Sequence, residues 1–183
     1  MNKRQFMQAC ALALGQLPAI QVLAETKKES KPEIKNEPKN EIKNFFLQGV
    51  DFDGKEVDLA AIKDKTVLVS FFSFESYSSM RDLKLMREFY VGNMKRKYMQ
   101  VAVNIDQSKK EFDSYIEMYL HAVPKAERFP ILHRYAQNYK DNFGAIVKAP
   151  THFALDSQHQ LMFKREGIFR GDDWDNLWEA LDS

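Results

Sequence analysis

Cysteine is all but missing: the 183-residue chain holds one, Cys10. One thiol cannot close an intramolecular disulfide, and it cannot supply the paired thiols of a dithiol oxidoreductase or a cysteine-rich zinc site. Net charge is missing as well, with 27 lysines and arginines against 26 aspartates and glutamates. No broad positive field is available to concentrate a polyanion, so nucleic acid is not an expected partner. The chain also lacks an unbroken membrane-length apolar run. The stretch from Phe6 to Leu23 is interrupted by Gln8, Gly15, Gln16, Pro18 and Gln21, whereas a spanning helix needs about 20 mostly apolar residues. No Gly-x-Ser-x-Gly elbow surrounds any serine, and His121, His133, His152 and His159 show no close metal-ligand spacing, so no metal and no cofactor is expected.

What is present begins with a targeting pattern. Lys3 and Arg4 precede the interrupted apolar stretch, which ends in Val22-Leu23-Ala24 before Glu25; this reads as a secretory signal over residues 1–24, cleaved after Ala24. Cleavage removes Cys10 and leaves a thiol-free, nearly neutral chain in a compartment where disulfides persist. An exported location, periplasmic or extracellular, follows as an expectation, with no stable membrane span after processing. From Glu25 to Asn44 the composition turns to Lys, Glu, Asn and Pro in a four-residue quasi-repeat. Pro32 and Pro38 break helix, and too few apolar side chains occur to offset ordering entropy, so residues 25–44 read as a disordered tether. The remaining residues, 45–183, suffice for one buried core.

Within that domain Asp53-Gly54 predicts a turn between strands at about Phe45–Val50 and Lys55–Leu59. Thr66–Phe72 is nearly all apolar, the pattern of a central strand covered on both faces. Leu83, Met86, Phe89 and Tyr90 recur at helical spacing and predict a helix over about Ser79–Gly92, with Arg81, Lys84, Arg87 and Glu88 left for solvent. Met99–Ile105 reads as a strand, and Ser108 with Glu111 as a capping box opening a helix that buries Phe112, Tyr115, Ile116 and Tyr119. Pro130–Leu132 is a short extended piece followed by a helical segment to Phe143 and Gly144. Thr151–Asp156 and Gln160–Arg165 form a hairpin, and Asp172 or Asp173 caps a last helix with Trp174, Leu177, Trp178 and Leu181 on one face. The order is βαβα followed by ββα, with parallel neighbours where the crossovers fall.

That order, with Ser70-Phe71-Phe72-Ser73-Phe74-Glu75-Ser76-Tyr77-Ser78-Ser79-Met80-Arg81-Asp82 after the central strand and Pro150-Thr151-His152-Phe153-Ala154-Leu155-Asp156 before the hairpin, resembles the thioredoxin-like proteins, specifically their TlpA/ResA-like and redoxin branch. The resemblance spans about Phe45 to Leu181. It implies an α/β fold, a thioredoxin-like three-layer sandwich with a mixed central sheet and an N-terminal β-hairpin. It also implies a cis peptide bond at Ala149-Pro150, beside the segment Asn142-Phe143-Gly144. Ser76 and Ser79 fall where the family has its two cysteines, Glu75 replaces the usual tryptophan, and Asp82 matches the acid that follows. Copper-delivering SCO-like proteins share the fold, but their cysteines are absent here and Lys148 stands at their histidine position.

Serine cannot form a mixed disulfide, so no catalytic residue is assigned. Ser76 and Ser79 read most simply as a helix cap and a solvent-facing hydroxyl, Asp82 as a polar contact on the helix, and only the distant His152 offers a base on the cis-proline side. A retained binding surface formed by Glu75, Ser76, Tyr77, Ser78 and Ser79 with Ala149 and Pro150 is the functional alternative. The leading expectation is an exported, non-catalytic module that binds or scaffolds a protein or peptide. A redoxin-like enzyme with a cysteine-independent activity and an envelope structural component are the competing readings.

Overall fold

The structure is a computed structural model that describes residues 44–182. The signal read over residues 1–24 and, apart from Asn44, the tether over 25–44 lie outside the described residues. Eight strands and three longer helices follow in the order β1 (Leu47–Val50), β2 (Glu56–Asp58), β3 (Thr66–Phe72), α1 (Tyr77–Asn93), β4 (Tyr98–Asn104), α2 (Lys109–Ala122), β5 (Ile131–His133), β6 (Lys140–Asp141), β7 (Thr151–Leu155), β8 (Leu161–Glu166) and α3 (Gly171–Asp182). No helix of the described residues is long and apolar enough to cross a membrane.

The main sheet has the order β5-β4-β3-β7-β8. β3 pairs parallel with β4 and β4 parallel with β5, while β7 runs antiparallel to both β3 and β8. β3 is buried at every residue, and its two-residue period sends alternate side chains into different layers. Val67, Val69 and Phe71 meet Leu47, Val57, Leu59 and Phe143 on one face. On the other face Leu68 joins Met86, Phe89 and Trp174, and Phe72 joins Leu83, Phe112 and Ile116. Each such side chain taken fully out of water contributes about 1.5–3 kcal/mol, which makes this strand common to both cores and central to their stability. The helices form one outer layer. A three-stranded sheet of order β2-β1-β6 covers the opposite face and contains the antiparallel β1–β2 hairpin. The predicted mixed sheet, N-terminal hairpin and three layers are all present.

The caps explain where helices begin. Ser76 holds extended backbone angles and accepts the Ser79 amide, so α1 starts at Tyr77, earlier than the apolar spacing alone predicts. Ser108 accepts the Glu111 amide and opens α2 as expected. In α3 neither Asp172 nor Asp173 is the cap: the helix begins at Gly171, and Asp173 reaches back to the Arg170 amide at 2.8 Å while holding the Arg165 guanidinium by two hydrogen bonds.

One predicted element is absent. The segment ending at Phe143 and Gly144 is not helical: turns centred near Tyr135 lead into β6, which pairs with β1. Arg134 makes a two-point contact with the Asp141 carboxylate at 2.9 Å and donates to the Gly144 carbonyl at 2.7 Å. These bonds satisfy the segment in an irregular path, and it lacks a helical apolar stripe that would outweigh them. Strand β1 begins at Leu47, two residues later than predicted, and β2 ends at Asp58 because Leu59–Ala61 closes into a 3-10 turn capped by Asp58.

Candidate binding site at the start of helix α1

The peptide bond Ala149-Pro150 is cis, as the resemblance implies. It presents the Ala149 carbonyl to the start of α1, where the Ser76 hydroxyl lies 3.2 Å away and donates to it. The same hydroxyl oxygen accepts the Ser79 amide at 3.2 Å and lies 3.3 Å from the Ser78 hydroxyl. Ser76 therefore caps the helix and ties it to the cis-proline segment, with 73 positions of sequence between the partners. All seven residues singled out from the sequence gather here. Pro150 is buried, Ala149 partly so, and Glu75 and Tyr77 are exposed.

The serine pair is not symmetric. Ser79 is fully buried, not solvent-facing as expected, because it occupies the inner face of α1. Its hydroxyl lies 3.4 Å from the Ser73 amide and accepts it, closing the turn between β3 and α1. That turn has a second anchor unanticipated from sequence. Asp106, just beyond β4, accepts the Ser73 hydroxyl at 2.5 Å, the Phe74 amide at 2.8 Å and the Asn104 side-chain amide at 2.7 Å. Its position beyond the carboxyl end of a parallel strand, where loops of such sheets assemble sites, was the available signal.

Beneath the helix lies a buried polar chain. Tyr98 donates to the Gln100 side chain at 2.7 Å, and Gln100 donates to the Ser70 hydroxyl at 3.1 Å. Ser70 lies 3.0 Å from both His152 Nδ1 and the Met86 sulfur. His152 Nε2 faces the Asp82 carboxylate at 3.4 Å without hydrogen-bond alignment, and Asp82 accepts the Phe169 amide at 2.7 Å. A carboxylate beside Nε2 favours a proton on that nitrogen, which leaves Nδ1 to accept from Ser70 in preference to the weaker thioether. Burial pushes the Tyr98 phenol well above its ordinary range.

Asp82 makes polar contacts around the helix, as expected, and it makes them inside the protein: 1% exposed, it fastens α1 to the segment before α3. His152 is equally buried and turns toward Ser70, so it is not a base for Ser76. Ser70, His152 and Asp82 are the residue types of a hydrolytic triad, yet Ser70 is itself 1% exposed, and a reacting carbonyl has no access to its hydroxyl.

The surface above is different in character. Tyr77 and Val147 are each 85% exposed, the highest values among the large apolar side chains of the described residues. They stand in the two segments that the Ser76–Ala149 bond joins.

No family model matches the chain and no curated protein matches it. Solved structures do. StoA from Bacillus subtilis is 17% identical with a TM-score of 0.55, over 74% of this chain and 95% of that one. A thiol:disulfide interchange protein of the thioredoxin family from Chlorobium tepidum is 19% identical with a TM-score of 0.58, over 74% and 93%. The exposed lipoprotein thioredoxin Etrx1 from Streptococcus pneumoniae is 18% identical with a TM-score of 0.56, over 75% and 98%. At these identities the likeness carries architecture and not chemistry; the fold of this chain is thioredoxin-like, with serines at the two positions where the resemblance places cysteines.

Proposed function

We propose that the protein is an exported, non-catalytic binding module that recognises a protein or peptide through the junction of Ser76–Ser79 with Ala149–Pro150. The observation that carries this reading is the pair Tyr77 and Val147, each 85% exposed, one on either side of the Ser76–Ala149 bond. An exposed tyrosine is among the most effective anchors in an interface, and Val147 adds apolar area on the segment that leads to Ala149. The Ala149 carbonyl retains a second lone pair beyond the one taken by Ser76, available to an extended backbone. Dithiol exchange is outside its reach because the described residues contain no cysteine.

The test is photocrosslinking from position 77 in the native cell, compared with a probe at the distant Leu161. A captured protein specific to position 77, lost on Val147→Asp, is the expected result. Equal capture from both positions, or reduction of insulin disulfides above solvent control by the native protein, would remove this reading. Export is checked separately: intact-mass measurement of the native protein should place Glu25 at its N-terminus.

A further inference from the structure

A second surface lies on the helical side and shares only Glu75 with the junction just described. Two cavities of about 650 and 170 Å³ open between α1 and α2 and share Met80 and Tyr115, so they form one furrow. Its floor continues through Phe74, whose ring centroid is 4.5 Å from that of Tyr115, to Met118, which is 60% exposed. Methionine suits such a floor because its unbranched, polarizable side chain adapts to different apolar guests.

The furrow is electrically asymmetric. At its wider end the carboxylates of Glu75 and Glu111 outnumber the lone ammonium of Lys110, so that end is net negative. Lys84 and Arg87 line the narrower end and make it positive. Arg87 stands eleven residues along the chain from Ser76, which on a helix is a separation of about 16 Å. Among the described residues Glu75, Glu111, Lys84 and Arg87 form no ion pair with each other or with anything else. Four unpaired charges sorted by sign along an apolar trough are complementary to an extended segment of opposite order.

We propose that the furrow between α1 and α2 is a docking groove for an extended segment of a partner protein carrying a basic residue, then apolar side chains, then an acidic residue. The basic residue lies against Glu75 and Glu111, the apolar side chains against Phe74, Tyr115 and Met118, and the acidic residue against Lys84 and Arg87.

The test uses three fluorescein-labelled, end-blocked peptides with the same Leu-Phe centre: one flanked by lysine and glutamate, one by two lysines, one by two glutamates. Fluorescence anisotropy should show the mixed-charge peptide binding about tenfold more tightly than either control, with the advantage shrinking in high salt. Met118→Asp and Lys84→Glu, both at exposed positions, should each weaken it at least about fivefold. Tyr77→Ala and Leu161→Asp should not, which separates this groove from the junction at Ser76. Circular dichroism verifies that each variant is folded, and Glu111→Lys, at an exposed position of the same end, replaces any that is not. Equal affinity for the three peptides, indifference to both furrow variants, or no binding at about 1 mM peptide overturns the proposal. So does a wild-type dimer that dissolves on Met118→Asp while no peptide binds, since the occupant is then a second copy of the chain.

Discussion

The Asp82 carboxylate and the His152 imidazole face each other at 3.4 Å inside the protein, each side chain 1% exposed. Asp82 also receives the Phe169 amide, so a single carboxylate joins α1, β7 and the segment before α3. Removing it leaves a buried amide without an acceptor and a buried imidazole without its counter-group. Asp82→Ala should cost about 2–4 kcal/mol in urea unfolding. Asp82→Asn, which keeps an acceptor for Phe169, should cost clearly less. Equal losses for the two variants would show that the electrostatic contact with His152 contributes most of the effect.

Ser76→Ala removes the cap of α1 and the bond to the Ala149 carbonyl together. The expected loss is about 1–2 kcal/mol, since capping substitutions typically cost about 1 kcal/mol and the second bond adds to it. Ser76→Thr retains both functions and should recover most of the loss. Thermal unfolding of the two variants against the parent decides this.

Gly49 in β1 packs its backbone directly against Leu132 of β5 and the Tyr139 ring. A Cβ there would stand 2.6 Å from Leu132 Cδ2 and 3.2 Å from the Tyr139 ring. Gly49→Ala should therefore destabilise by about 1–3 kcal/mol through overpacking, although alanine suits a strand better than glycine does. An unchanged unfolding midpoint would mean that Leu132 swings aside without cost.

Alkaline pH should weaken the fold through α2. Burial pushes the Tyr115 and Tyr119 phenols up to about 12. In the unfolded chain they ionise near their ordinary value of about 10, so above that pH the native state holds more protons than the unfolded state. Their contribution to stability is then complete below about pH 10 and declines as pH rises from about 10 through about 12. Unfolding curves across that window, with Tyr119→Phe as comparison, should show a smaller decline in the variant.

The elements most legible in the sequence are those whose evidence is local. Thr66–Phe72 is a strand because every residue in it suits a doubly covered position, and Ser108 caps α2 because its partner is three residues away. The cis bond at Ala149-Pro150 is legible only through resemblance, which brings in tertiary context that periodicity lacks. Burial of polar residues is illegible for the opposite reason. Ser79 and Asp82 sit among charged neighbours on a polar-looking stretch of α1, and only groups 6 and 87 positions away define their surroundings. The irregular path from Arg134 to Gly144 is illegible in the sequence because the contacts that set it, a guanidinium fork and a strand pairing with β1, follow no period.

The hydrogen bond from Ser76 to Ala149 has a consequence in the language of cellular redox control. A sulfur at this place gains and loses electrons, so the state of the surface follows the oxidising power of its surroundings. An oxygen has no such second state. The tie between α1 and the cis-proline segment is therefore the same in a reducing and in an oxidising compartment.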